Sequence, residues 1–151
     1  MTNKKTKNED YTTMNTWFYN PIVKEHFYHP KNYLKNTSKT YLKKFNGYGR
    51  VGSPVCGDVM EMWIKIDPKT KKIKECKWRT WGCASAIAST SMLSVMITEK
   101  GGMPIDKALK INAQDIIKKL GGLPAQKIHC SVLGDQVLQA AINDYLKKEK
   151  K

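Results

Sequence analysis

Arginine is nearly missing from a chain that is otherwise strongly basic. Lysine and arginine together number 27 among 151 residues and the net charge is +14, yet arginine stands only at Arg50 and Arg79. An aromatic–basic RNA motif and a helix-turn-helix signature are missing too. The charge therefore reads as a solvated lysine surface, suited to an acidic protein partner, and nucleic acid is not the expected ligand. No apolar run approaches the ~20 residues that span a bilayer, which excludes a membrane-crossing helix. Residues 1–13 have neither the apolar core of a secretory leader nor the arginines of an organellar transit peptide, and they carry Glu9 and Asp10. The expected location is cytoplasmic. None of the four cysteines forms a C-x-x-C pair, so zinc-ribbon and thioredoxin readings lose their usual support, and disulfides are not expected in that compartment. Internal repeats are absent.

What remains is a chain with 40% hydrophobic and 26% charged residues, enough for one packed domain. Residues 1–19 are expected to be a disordered extension and residues 20–148 the single domain. Pro21 suits a first helical turn; Ile22, Val23, His26 and Phe27 follow at helical spacing, and Pro30 stops the segment. His26 and His29 are read as surface or packing residues. Residues 31–50 read as a polar loop leading into a short strand.

Residues 58–66 (DVMEMWIKI) alternate, with Met60, Met62, Ile64 and Ile66 on one face and Glu61 and Lys65 on the other. A turn at Asp67 and Pro68 returns the chain as a second strand over 73–81, where mid-strand Cys76 is assigned to packing. Residues 84–98 lack glycine and proline and are apolar at Ala86, Ile87, Met92, Leu93, Val95, Met96 and Ile97, the pattern of a buried helix that Gly101 and Gly102 end. A short helix over 104–109, a capped one over 113–120 and a last one over about 131–148 follow. Strands precede helices, so the class is α+β: a small antiparallel sheet of about three strands packed with four to six helices.

Three cysteines share a context. Cys56 lies in a Pro-Val-Cys-Gly-Asp turn before a strand, Cys83 stands at the head of the buried helix, and Cys130 opens the last helix. A thiol at a helix N-terminus faces unpaired N–H groups and the positive end of the dipole, which favour the thiolate. Asp58 and His129 add a carboxylate oxygen and an imidazole nitrogen. Such a set could hold Zn²⁺ in a tetrahedral site or equally an iron–sulfur cluster. Replacing a fourth thiolate by a carboxylate or imidazole weakens one bond and suits a cluster that is to be released.

The stretches VGSPVCGDVM (51–60), WGCASAIASTS (81–91) and GGLPAQKIHCSVLG (121–134) resemble the three cysteine segments of the IscU/NifU-type iron–sulfur cluster scaffolds, with GGLP most similar to the N-terminal domain of NifU. The resemblance implies a SufE/NifU-like fold and a scaffold, not an enzyme, on which a labile [2Fe–2S] cluster is assembled and passed on. It implies Cys56, Asp58, Cys83, His129 and Cys130 as the site, Cys130 as the main persulfide acceptor, Cys83 as a second acceptor, Asp58 in cluster lability and Lys127 in support. Zn²⁺ or Fe²⁺ can fill such a site without the cluster. The implied partners are a cysteine desulfurase, an electron donor such as ferredoxin, and recipient apo-proteins; a homodimer is left open.

Two departures stand out. Ala84 replaces the glycine that usually follows the second cysteine and restricts that turn. Leu123-Pro124-Ala125-Gln126-Lys127 replaces the family's Leu-Pro-Pro-Val-Lys, which argues against docking by an Hsp70/J-type chaperone. The rival reading is a SufU-type zinc protein that relays sulfur. That group typically carries an insertion between the second and third cysteines and lacks the histidine before the third, whereas here the interval is short and His129 is present.

Overall fold

The computed structural model describes residues 21–52, 57, 59–82, 84–122 and 128–150, with only the backbone for 128–132 and 150. The extension 1–19 expected to be disordered lies outside them. In chain order the elements are α1 (Pro21–Tyr28), α2 (Lys39–Leu42), β1 (Gly47–Gly52), β2 (Val59–Ile66), β3 (Lys72–Trp81), α3 (Ala84–Thr98), a 3-10 turn (Glu99–Gly101), β4 (Met103–Pro104), α4 (Ile105–Ala108), α5 (Ala113–Leu120) and α6 (Ile128–Lys150). The strands form one antiparallel sheet in the order β1-β2-β3-β4. This is the expected α+β architecture, with one more strand: β4 pairs only Pro104 with Lys72 and Met103 with Ile73.

One face of the sheet carries the core. Met60, Met62 and Ile64 of β2 and Cys76 and Trp78 of β3 meet Leu93 and Ile97 of α3 and Val137, Leu138, Ala141 and Ile142 of α6, all buried. Register explains Cys76: it lies opposite Ile64, and the pairing slips between Lys65 and Ile66, so that Ile73 opposes Ile66 and Lys74 is the extra residue. That bulge turns both Ile73 and Cys76 inward, which strict alternation forbids. Burial pushes the Cys76 thiol far up from its ordinary pKa, and it remains a neutral packing group. The opposite face is only partly covered, by a small cluster of Leu34, Phe45 and Trp63. Glu61, expected on a wet face, is therefore buried.

Close approach of α6 to β1 depends on two glycines. A Cβ at Gly47 would stand 2.6 Å from the Ala141 carbonyl oxygen, and one at Gly49 would stand 2.5 Å from that of Val137. The Asp144 carboxylate accepts a hydrogen bond from the Tyr48 N–H at 3.0 Å, fixing the helix along the strand.

Helix α3 is buried nearly all round, and its polar residues are accommodated by local and long-range bonds. Thr90 and Thr98 donate to the Ala86 and Ser94 carbonyls, each at 2.7 Å. Ser91 Oγ lies 2.7 Å from His26 Nδ1 and accepts from the Lys31 N–H at 2.8 Å, while Asn32 Nδ2 donates to Ser94 Oγ at 3.0 Å. This polar latch holds α1 and the following turn against α3, and it makes His26 a packing histidine. The segment expected to be loop includes α2, whose cap Ser38 accepts from the Tyr41 N–H. Helix α5 has the expected cap as a full box between Asn112 and Asp115, with left-handed Gly121 at its end.

Two outcomes follow. Gly49→Ala is expected to lose about 1–3 kcal/mol in denaturant unfolding, since the new methyl meets backbone; wild-type stability would show that α6 is not seated on the strand. For His26, burial and then the Lys31 charge lower the pKa from its ordinary 6.5. The unfolded chain thus takes up this proton first, and stability present above pH 6.5 falls as pH drops toward the lowered native value. The melting temperature of His26→Gln should fall less than that of wild type between about pH 7.5 and about pH 5.5. Parallel slopes would remove His26 from the acid response.

Candidate functional site

Strand pairing brings three chain segments out at one end of the molecule. Gly52, the last residue of β1, pairs with Val59, the first of β2, and Val59 pairs with Trp81, the last of β3. Helix α3 begins three residues later at Ala84. Thus Gly52 and Val59, which flank the segment with Cys56 and Asp58, and Trp81, two residues before Cys83, lie in the same row of the sheet.

The third segment is placed by α6. Gly47 faces Ala141 and Gly49 faces Val137 as well as Ala141, so advancing along β1 means moving back along the helix. At roughly 3.3 Å per strand residue and 1.5 Å per helical residue, Gly52 is level with about the first turn of α6. That turn begins at Ile128 and includes the backbone of His129 and Cys130. The expectation that Cys130 opens a helix starting near residue 131 is corrected here: the helix starts at Ile128, so Cys130 is its third residue. Cys56, Asp58, Cys83 and Lys127 themselves lie outside the described residues, as do the side chains of His129 and Cys130.

The electrostatics of this end follow from the same topology. Both α3 and α6 begin there, so unpaired N–H groups and the positive ends of two helix dipoles face the same region. A thiolate, or an anionic cluster held by thiolates, is favoured by such a setting. In the first turn of α3, two residues beyond Cys83, Ser85 is fully buried and its hydroxyl has no hydrogen-bond partner among the described residues. On the other side of the row, Gly57 holds a left-handed backbone with φ of 73°, a conformation that suits glycine just before the strand.

Among the described residues there is no group of three or more His, Cys, Asp and Glu that could hold a metal ion. Cys76 is on the core side of β3 and His26 is bonded to Ser91, so neither belongs to such a set. His29 is exposed on the turn after α1. Sequence reasoning missed Ser85 and the Ser91–Ser94 latch. The signal was present in α3 itself, where serines at 85, 89, 91 and 94 leave no polar face of their own. No described helix is long and apolar enough to cross a membrane.

Comparison with known proteins gives the family and the fold. The family model described as "NifU-like N terminal domain" matches residues 18–151. The iron-sulfur cluster assembly scaffold protein IscU of Aquifex aeolicus is 44% identical over 131 residues, covering 87% of this chain and 78% of that protein. The nitrogen fixation protein NifU of Azotobacter chroococcum is 44% identical over 133 residues, or 88% of this chain, but the chain spans only 40% of its length. Among solved structures, the N-terminal part of a NifU-like protein from Brucella abortus superposes with a TM-score of 0.61 at 15% identity, covering 86% of this chain and 95% of that one. A SUF-system scaffold from Fervidobacterium islandicum gives a TM-score of 0.57 at 17% identity, covering 81% and 94%. At those identities the likeness is one of fold. The matched model and the two close relatives cover nearly all of the described domain, and the chain belongs to the NifU-like N-terminal domain family, of the IscU/NifU type.

Proposed function

We propose that this chain is a scaffold on which a [2Fe–2S] cluster is built from iron and desulfurase-derived sulfur, then passed to apo-proteins. The observation that carries the reading is the common row of Gly52, Val59 and Trp81, beside the first turn of α6. The segments with Cys56 and Asp58, with Cys83, and with His129 and Cys130 all depart from that one end. Family membership supports the reading, since relatives at 44% identity are named as cluster assembly and nitrogen fixation proteins.

In this reading Cys130 accepts sulfur as a persulfide from a cysteine desulfurase, and Cys83 is a second acceptor. The two helix N-termini lower the cost of holding these groups as thiolates. Releasing sulfide from a persulfide takes two electrons, which a donor such as ferredoxin supplies. Three soft thiolates retain iron, while Asp58 or His129 completes the set with a harder, more easily exchanged ligand. Lys127 offsets part of the negative charge of the cargo. The substituted Leu-Pro-Ala-Gln-Lys segment argues for release without a dedicated Hsp70-type chaperone.

Anaerobic incubation with iron, cysteine and a desulfurase should give a visible chromophore with near-equal iron and sulfide, lost on replacing Cys56, Cys83 or Cys130 and kept in Cys76→Ala. A colourless protein that holds zinc tightly yet accelerates the desulfurase would instead identify a SufU-type sulfur relay. Asp58→Ala should keep the cluster but slow its transfer to an apo-ferredoxin by about tenfold, the loss of one weak, exchangeable ligand. Transfer at the wild-type rate would remove Asp58 from the release step.

A further inference from the structure

The sheet face turned away from α3 and α6 carries both arginines of the chain. The register aligns Tyr48, Trp63 and Lys77 in one row, Arg50, Glu61 and Arg79 in the next, and Gly52, Val59 and Trp81 in the last. At the centre, the buried Glu61 carboxylate accepts hydrogen bonds from the Tyr48 hydroxyl and from Arg79 Nε, the latter at 2.7 Å. The Arg79 guanidinium lies 5.0 Å from the Trp81 ring centroid and 5.6 Å from that of Trp63. Tyr48 and Trp63 are in ring contact at 5.1 Å. These contacts hold the side chains in fixed positions before any partner arrives.

Yet the surface is left open. Trp81 is 56% exposed and Tyr48 36%, large values for aromatic residues held on a sheet. Arg50 is exposed and makes no ion pair among the described residues. Tryptophan, tyrosine and arginine are the residues that dominate protein–protein hot spots, because each combines apolar area with directed polar contact at little entropic cost. Lysine supplies the other side-chain positive charge, so both guanidiniums of the chain, the groups suited to planar, bidentate recognition of a carboxylate, stand on this one face. Glu61 and Arg79 cancel, which leaves Arg50 and Lys77 to give the patch a net positive charge. A second copy of a chain with net charge +14 would be repelled, whereas an acidic partner is attracted.

We propose that Tyr48, Arg50, Arg79 and Trp81 form the docking face for an acidic acceptor protein, which presents carboxylates to Arg50 and an apolar spot to Trp81. This rests on the scaffold reading: Trp81 ends the strand that leads to Cys83, so an acceptor seated here stands beside the cargo. Charge brings the acceptor to the face, the aromatic contact sets its orientation, and transfer follows within the encounter.

The test uses the full chain loaded chemically with iron and sulfide, without a desulfurase, and an acidic apo-ferredoxin as acceptor. Arg50→Glu should load like wild type but transfer about tenfold more slowly under second-order conditions, with Arg50→Lys between the two. The wild-type rate should fall steeply with added salt and that of Arg50→Glu much less. Lys119→Glu, the same charge change on exposed α5, should stay within about twofold of wild type. Wild-type transfer by Arg50→Glu, or an equal loss in Lys119→Glu, would overturn the docking face. Binding of a single-stranded oligonucleotide that Arg50→Glu abolishes, with transfer unchanged, would reassign the face to nucleic acid. Failure of the wild type to load any cluster would instead overturn the scaffold reading.

Discussion

Backbone-to-backbone contact between α6 and β1 sets the geometry on which everything else depends. Gly47 and Gly49 present no side chain, and the carbonyls of Val137 and Ala141 occupy the space where a Cβ would be. The helix is thereby seated at one height along the strand, reinforced by Asp144 on the Tyr48 N–H. A slide of one helical turn would move the start of α6 by about 5.4 Å relative to the strand ends. The proposed site, drawn from the ends of β1–β2 and β3–α3 and the head of α6, tolerates no such slide. The rigid sheet and the buried α3 supply the other two reference points.

Much of the fold was legible because local signals coincided with tertiary ones. Helix α3 has the limits its composition suggests, since no glycine or proline interrupts it and two glycines follow. Helix α5 could be read from Asn112 and Asp115 because a capping box is a short-range interaction. Other features depend on register, which residue patterns do not carry. The slip opposite Lys65 and Ile66 lets Ile73 and Cys76 share a face, and the aromatic cluster around Trp63 puts Glu61 in a buried position despite its charge. Strand β4 is two residues long, too short for any alternation to reveal. Helix α6 starts at Ile128, five residues ahead of Leu133, where its apolar stripe begins, so periodicity does not mark its first turn.

The site divides in the same way. Residue type nominates the proposed ligands: three cysteines at element ends, with a carboxylate and an imidazole close by. That the described residues flanking them lie at one end of the sheet required the strand pairing. The cysteine that does not belong was also readable, since mid-strand Cys76 points into the core and burial keeps its thiol protonated. The charge of the chain was harder to interpret from composition. Lysines spread over the surface say little about a partner, but two arginines set among tryptophans and a tyrosine on one sheet face describe a place.

The convergence of the three cysteine segments can be measured without any assumption about cluster chemistry. Titrating the cluster-free protein with Co²⁺ reports thiolate ligands through sulfur-to-metal charge transfer. One equivalent should bind with the intensity of three thiolates in a tetrahedral field, falling by about a third in each of Cys56→Ser, Cys83→Ser and Cys130→Ser and unchanged in Cys76→Ser. A spectrum with a single thiolate, or one that survives loss of any of the three, would mean that the segments leave the sheet together but do not meet.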